Sequence, residues 1–155
     1  LEKIYIEKKF IELGDLNFKI SIARCFNFIG KHSLGDGQII GKMIYEGLNK
    51  KNITVNNSIN VHRAYLNTDD LVNWLIVILK NSSKKCPIYN VGSDKSISIK
   101  SLGKKISKIF NKKIKFKEKN KNEKDYYVPS INKAKKLLKL KISINLNDSL
   151  NSFIK

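Results

Sequence analysis

Hydrophobic and polar positions change period repeatedly along the chain, and each change marks an element. Between Leu1 and Leu13, the residues Leu1, Ile4, Tyr5, Phe10 and Ile11 recur among charges at helical spacing, and Gly14-Asp15 reads as the stop. Lys19 to Arg24 alternates and is rich in β-formers, which predicts a strand, and Cys25 to Leu34 reads as a loop holding Asn27, Gly30 and His32. Asp36 or Gly37 opens a second predicted helix with Ile39, Ile40, Met43, Ile44 and Leu48 on one side. Ile53 to Val55 predicts a short strand. Asn56-Asn57-Ser58 predicts a turn, because Asn tolerates left-handed backbone angles.

The stretch from Val61 to Leu79 carries the strongest pattern. Arg63-Ala64-Tyr65-Leu66 alternates as a half-buried strand does. Thr68, Asp69 and Asp70 then bring cap chemistry and negative charge to a helix start, and Leu71, Trp74, Leu75 and Ile78 form its apolar face. Further on, Pro87 to Gly92 predicts a strand of the kind buried in a parallel sheet. Ser96 or Ser98 caps a helix that turns Ile99, Leu102, Ile106 and Ile109 inward. Ile114 to Lys117 predicts a strand, and Lys117 to Lys124 reads as charged and mobile. Asn132 to Leu140 and Asn147 to Ile154 predict two short helices, with Leu146, Leu150 and Phe153 as the last inner stripe. Helices alternating with short strands imply the α/β class.

Composition adds three constraints. A chain of 155 residues that is 41% hydrophobic can form about one domain with a buried core. No apolar run approaches the ~20 residues that span a bilayer, and no signal-peptide pattern opens the chain, so no membrane contact and a cytoplasmic location are expected. Because the first residue is Leu1, the sequence reads as a segment of something longer. Cys25 and Cys86 stand apart, without partners at ligand spacing, so no metal site is expected and both thiols are expected to be reduced.

The formal charge of +18 admits nucleic acid, an anionic membrane surface or an anionic small substrate as partner. The lysines are spread along the chain beside abundant Asn and Ile, which looks like a general bias more than a patch. Against that background Arg24 and Arg63 are the only arginines, and mark sites where a planar fork is needed. Arg63, on a strand braced by a capped helix, is a sensible mount for a phosphate; the bland reading is a solvated surface charge.

Three stretches, taken in order, resemble the C-terminal half of the extended short-chain dehydrogenase/reductases, the NAD-dependent nucleotide-sugar epimerases and dehydratases. Ile22-Ala23-Arg24-Cys25-Phe26-Asn27-Phe28-Ile29-Gly30 is similar to that family's apolar strand and R-x-x-N-x-x-G. Arg63 to Leu71 is similar to R-x-[YF]-x-x-x-x-D-[LV], and Tyr89-Asn90-Val91-Gly92-Ser93 to its Y-N-[VI]-G-S strand. Tyr127-Val128-Pro129-Ser130, followed by Lys133-Ala134 and Leu137-Leu138, is similar to the tail pattern.

The resemblance implies the C-terminal part of a doubly wound Rossmann sheet plus a small α/β substrate-binding domain. It assigns 1–34 and 64–111 to the former, and 35–63 and 112–155 to the latter. It puts Arg63 at the diphosphate of a UDP-, dTDP- or GDP-sugar, Asn27 beside the sugar-phosphate, and Tyr127, or Asp125 near it, close to the nucleotide. It puts the Cys25-Phe26 backbone near the nicotinamide end of NAD. Asp70 is expected to cap its helix, Asn90 and Gly92 to shape a strand end, and the intact protein to be a homodimer through the helix of Leu1 to Leu13.

The departures matter as well. No G-x-x-G-x-x-G turn for the NAD pyrophosphate is present, and Gly35-Asp36-Gly37 lacks the preceding strand and third glycine. Tyr5 and Lys9 have the spacing of the family's Tyr-x-x-x-Lys acid/base pair, but counting back from Arg24 makes them ordinary helix residues. No catalytic residue is therefore expected in this chain, and NAD is expected to be held mainly by residues outside it. The rival expectations are a basic nucleic-acid-binding module, which lacks the required interleaved aromatics or arginine-rich reader, and a non-catalytic nucleotide-sugar-binding partner subunit.

Overall fold

The computed structural model describes residues 2–31, 34, 37–56, 61–117 and 124–154. In chain order the first half holds α1 (Glu2–Asp15), β1 (Ile22–Cys25), β2 (Phe28–Ile29), α2 (Ile39–Asn49), β3 (Asn52–Asn56), β4 (Val61–Arg63), β5 (Leu66–Asn67) and α3 (Thr68–Lys80). The second half holds β6 (Ile88–Val91), β7 (Ile97–Ser98), α4 (Ile99–Ile109), β8 (Lys113–Lys117), β9 (Asp125–Tyr127), α5 (Asn132–Leu138) and α6 (Leu146–Asn151).

Parallel pairing dominates, as an α/β chain with helical crossovers requires. β1 pairs with β6 with Cys25 opposite Val91, β2 with β5, and β3 with β8. β4 is the middle of a mixed sheet, antiparallel to β7 and parallel to β9.

Two clusters of buried side chains form the core. One joins Ile40, Met43 and Ile44 of α2 to Ile53 and Val55 of β3 and to Ile99, Leu102 and Ile106 of α4, closed by Phe110 and Leu150. The other packs Trp74 and Ile78 of α3 and Ala134 of α5 against Tyr89 and Val91 of β6, with Leu66 and Ile131. Each fully buried aliphatic of this kind is worth roughly 1.5–3 kcal/mol. Glycines allow the closest approaches. A Cβ on Gly103 would stand 2.8 Å from Val55, and one on Gly30, just past β2, would stand 2.1 Å from the Thr68 hydroxyl.

Several predicted boundaries move. The strand expected over Arg63 to Leu66 is broken: β4 ends at Arg63 and β5 starts at Leu66. The expected loop from Cys25 to Leu34 contains β2, and α1 continues through Gly14 to Asp15. α2 begins at Ile39, and the Asp36 cap and Asn57-Ser58 turn fall outside the described residues, as do positions 118–123. Of the two candidate serines, Ser98 caps α4, accepting from the Ser101 N–H.

The α3 cap also differs from expectation. Asn67 is the cap, its Oδ1 accepting the Asp69 N–H at 2.8 Å, while Asp70 lies one turn in and is buried. The Asp70 carboxylate accepts the main-chain N–H groups of Ser143 and Ile144, both at 3.0 Å, and the Trp74 indole donates to the Lys141 carbonyl at 3.0 Å. The acidic residue thus fastens the C-terminal segment to α3. Glu46 does a similar service on the other side, accepting the Thr54 N–H at 2.7 Å and so tying α2 to β3.

α1 is held to β1 by a fork-on-fork pair: Arg24 Nε to Glu7 Oε1 at 2.7 Å and Nη2 to Oε2 at 2.5 Å. Much of the helix is otherwise open, with Ile4, Tyr5, Ile6, Phe10 and Ile11 all exposed. α3 likewise exposes Val72, Ile76 and Leu79. No helix among the described residues is long and apolar enough to cross a membrane.

Asp70→Ala should lower the unfolding free energy in urea by roughly 2–3 kcal/mol, since it strands two main-chain donors; a change inside about 0.5 kcal/mol contradicts the role given to it. The Arg24 bond holds the Glu7 carboxyl below its ordinary 4.5. A depressed carboxyl contributes stability above its unfolded value and loses it as pH falls through the folded one. In a carboxyl NMR titration Glu7 should therefore titrate below 4.5 and return towards it in Arg24→Ala.

Candidate functional site

The C-terminal end of β1 delivers the first part of the site. Past Cys25, the Phe26 N–H donates to the Val91 carbonyl at 2.9 Å, extending the pairing with β6 by one residue. Asn27 follows: its carbonyl accepts the Leu66 N–H at 3.1 Å, and its amide reaches the Ala64 carbonyl at 3.5 Å. The break between β4 and β5 is thus stitched to the end of β1. Cys25 is exposed, and Phe26 and Asn27 are half-buried.

β4 and β9 supply the second part. Their parallel register sets Arg63 opposite Tyr127 and Val61 opposite Asp125. Arg63 Nη1 donates to the His62 carbonyl at 2.8 Å and to the Asp125 carbonyl at 3.4 Å, and Nη2 donates to Asp125 Oδ2 at 2.5 Å. The Arg63 side chain is 22% exposed, so it is not a freely solvated surface charge. The guanidinium holds the Asp125 carboxyl below its usual range.

An aromatic stack connects the two parts. The Tyr127 ring lies 4.8 Å from Phe26, inclined at 34°, and 5.9 Å from the Arg63 guanidinium carbon. The contact depends on Gly92, where a Cβ would stand 2.9 Å from Pro129 and 3.1 Å from Phe26. Asn90 adds a clamp, its amide donating to the Ser130 carbonyl at 3.0 Å. Both residues therefore shape a strand end by letting the 125–130 segment cross it. Chemically, a fork donor beside the Tyr127 ring can grip a phosphate oxygen while a flat group lies on an aromatic face.

Sequence reasoning named Arg63, Asn27, Tyr127, Cys25 and Phe26, and the structure brings all five to these neighbouring strand ends. It missed β9 and the Phe26–Tyr127 stack. The one available signal was the pair Tyr126-Tyr127 just before Pro129, read only as part of a tail motif. Tyr5 and Lys9 lie exposed on α1, with Lys9 bonded to Glu12 at 2.8 Å. No cluster of metal-ligand side chains occurs among the described residues.

Four surface hollows are walled by other groups. One of about 400 Å³ lies between Tyr65, Ser93, Lys95, Lys105, Ile142 and residues 144–147, and none of the four includes Arg63, Asn27 or Tyr127 in its wall. The buried Tyr65 hydroxyl has no partner among the described residues, and burial pushes its phenol far up, so it stays neutral.

The chain is 29% identical over 139 residues to UDP-glucuronic acid decarboxylase 1 of Xenopus tropicalis, covering 88% of this chain and 32% of that protein. It is 25% identical over 142 residues to UDP-glucuronic acid decarboxylase 4 of Arabidopsis thaliana, covering 90% and 32%. The chain therefore spans about a third of the length of the curated relatives it matches. Among solved structures, RMD from Pseudomonas aeruginosa complexed with NADPH superposes with a TM-score of 0.79 at 20% identity, covering 96% of this chain and 51% of that one. UDP-glucose 4-epimerase from Thermotoga maritima with UDP-glucose superposes at 0.75 and 17% identity, covering 89% and 45%. These likenesses show the fold: α/β of the Rossmann type. A family model, NAD dependent epimerase/dehydratase family, matches residues 1–92, more than half of the chain. On that match, this chain belongs to the NAD-dependent epimerase/dehydratase family.

Proposed function

We propose that the chain is the C-terminal, substrate-binding half of an NAD-dependent enzyme that epimerises, dehydrates or decarboxylates a nucleotide-sugar. The observation that carries this is the convergence of Arg63, Tyr127 and Phe26-Asn27 at adjoining strand ends. α/β folds take nucleotide ligands outside the carboxyl ends of parallel strands. In this reading Arg63 meets the diphosphate, Asn27 the sugar-phosphate and Tyr127 the nucleotide end. The relatives named for UDP-glucuronic acid favour a UDP-sugar.

NAD, when bound, supplies the hydride acceptor and the returning donor. The residues present fit its nicotinamide end: Cys25 and Phe26 leave β1 at the carboxyl end of a parallel pair, with an aromatic ring beside them. The chain's own groups bind and orient; the reading gives it no proton-transfer residue. With neither the glycine-rich turn nor a converging Tyr-x-x-x-Lys pair, the 155-residue chain alone does not convert nucleotide-sugar in this reading.

The reading also assigns 1–34 and 64–111 to the Rossmann unit and 35–63 and 112–155 to the substrate unit. Support comes from the β1–β6 pair in the former and the β3–β8 pair in the latter. The two units interlock, since α4 packs on β3 and β8 while α5 packs on β6. The open apolar side chains of α1 support a homodimer through that helix, and two free cysteines accord with a cytoplasmic setting.

Calorimetric titration of UDP and UDP-glucuronate into wild type and Arg63→Ala tests the assignment. A charge-assisted phosphate contact is worth roughly 1.5–3 kcal/mol, so Arg63→Ala should bind about 10- to 150-fold more weakly. Unchanged affinity in Arg63→Ala overturns the assignment of that residue.

A further inference from the structure

We infer that Asp125 is a positioning residue for the anion-binding arginine: its carboxylate and its own main-chain carbonyl together hold the Arg63 guanidinium in one orientation. This rests on the reading in which Arg63 meets the substrate diphosphate. A guanidinium carries five N–H donors. Among the described residues three have acceptors: two from Nη1, to His62 and Asp125 carbonyls, and one from Nη2, to Asp125 Oδ2. Nε and the second Nη2 hydrogen remain, and a bidentate oxyanion contact uses two donors.

The carbonyl contacts are fixed by strand pairing, because the β4–β9 register sets Val61 opposite Asp125 and Arg63 opposite Tyr127. The carboxylate is what the side chain adds. It stops rotation about the last bonds of a long flexible chain, so that freedom is lost on folding and not again on binding. Tyr127 flanks the same guanidinium at 5.9 Å, leaving it braced by an acid and an aromatic ring. Asp125 is 52% exposed, so its pairing adds little to fold stability, and its use lies in orientation.

The test compares UDP, by calorimetry, with uridine, by NMR shift titration, for wild type, D125A, D125N, R63A and R63A/D125A of the 155-residue chain. The expected result is a loss of about tenfold in UDP affinity for D125A with uridine affinity and Tm unchanged. D125N, whose amide oxygen still accepts, should recover to within about threefold of wild type. D125A should cost nothing further in the R63A background. Wild-type or tighter UDP binding by D125A overturns the proposal, as does an equal loss for uridine or a loss that persists without Arg63. If R63A binds UDP like wild type, or wild type binds no UDP, the underlying diphosphate assignment fails instead.

Discussion

The register between β1 and β6 is the constraint on which the site geometry depends. Because Cys25 lies opposite Val91, the chain leaves the pair at Phe26 and at Gly92 together, on the same edge. One N–H, from Phe26 to Val91, carries the pairing past the strand end and orients the aromatic ring. The absent side chain at Gly92 then lets Pro129 cross, and β9 lands where Tyr127 meets both Phe26 and Arg63. A one-residue slip would turn every side chain of the strand to its opposite face and take the ring out of this contact.

Charge does less than its total implies. The chain is +18 overall, yet both of its arginines are spent on single carboxylates, Arg24 on Glu7 and Arg63 on Asp125. The former joins a helix to the first strand of the sheet; the latter sets a donor group at the edge of another. The planar fork matters in both places, since a lysine offers one point charge where two coplanar bonds are made at Glu7.

Local pattern made most of the fold legible. Strands β3, β6 and β8 and helices α3 and α4 announce themselves through periodicity and short polar caps, and the R-x-x-N-x-x-G and R-x-Y stretches pointed to the residues that converge. What stayed hidden depended on distant partners. β2 and β5 are two residues long and exist only by pairing with each other, so neither has a periodicity to read. β9 is three exposed residues with no alternation of buried and open positions, so only its tyrosine pair set it apart from loop. Asp70 looked like a cap because it sits in a helix's first turn; its true acceptor role involves N–H groups 73 and 74 positions away. Two adjacent acids and an asparagine compete for one cap, and the asparagine, two places before the first acid, holds it.

The close approach of Gly30 to Thr68 follows from that short β2–β5 pair, since each residue comes immediately after its strand. A methyl group at position 30 would collide with both branches of the threonine, at 2.1 and 2.5 Å. The two sites are therefore not free to drift separately. A side chain can enter at 30 only alongside a smaller residue at 68, so any compensating change must come as a pair drawn from two segments far apart in the sequence.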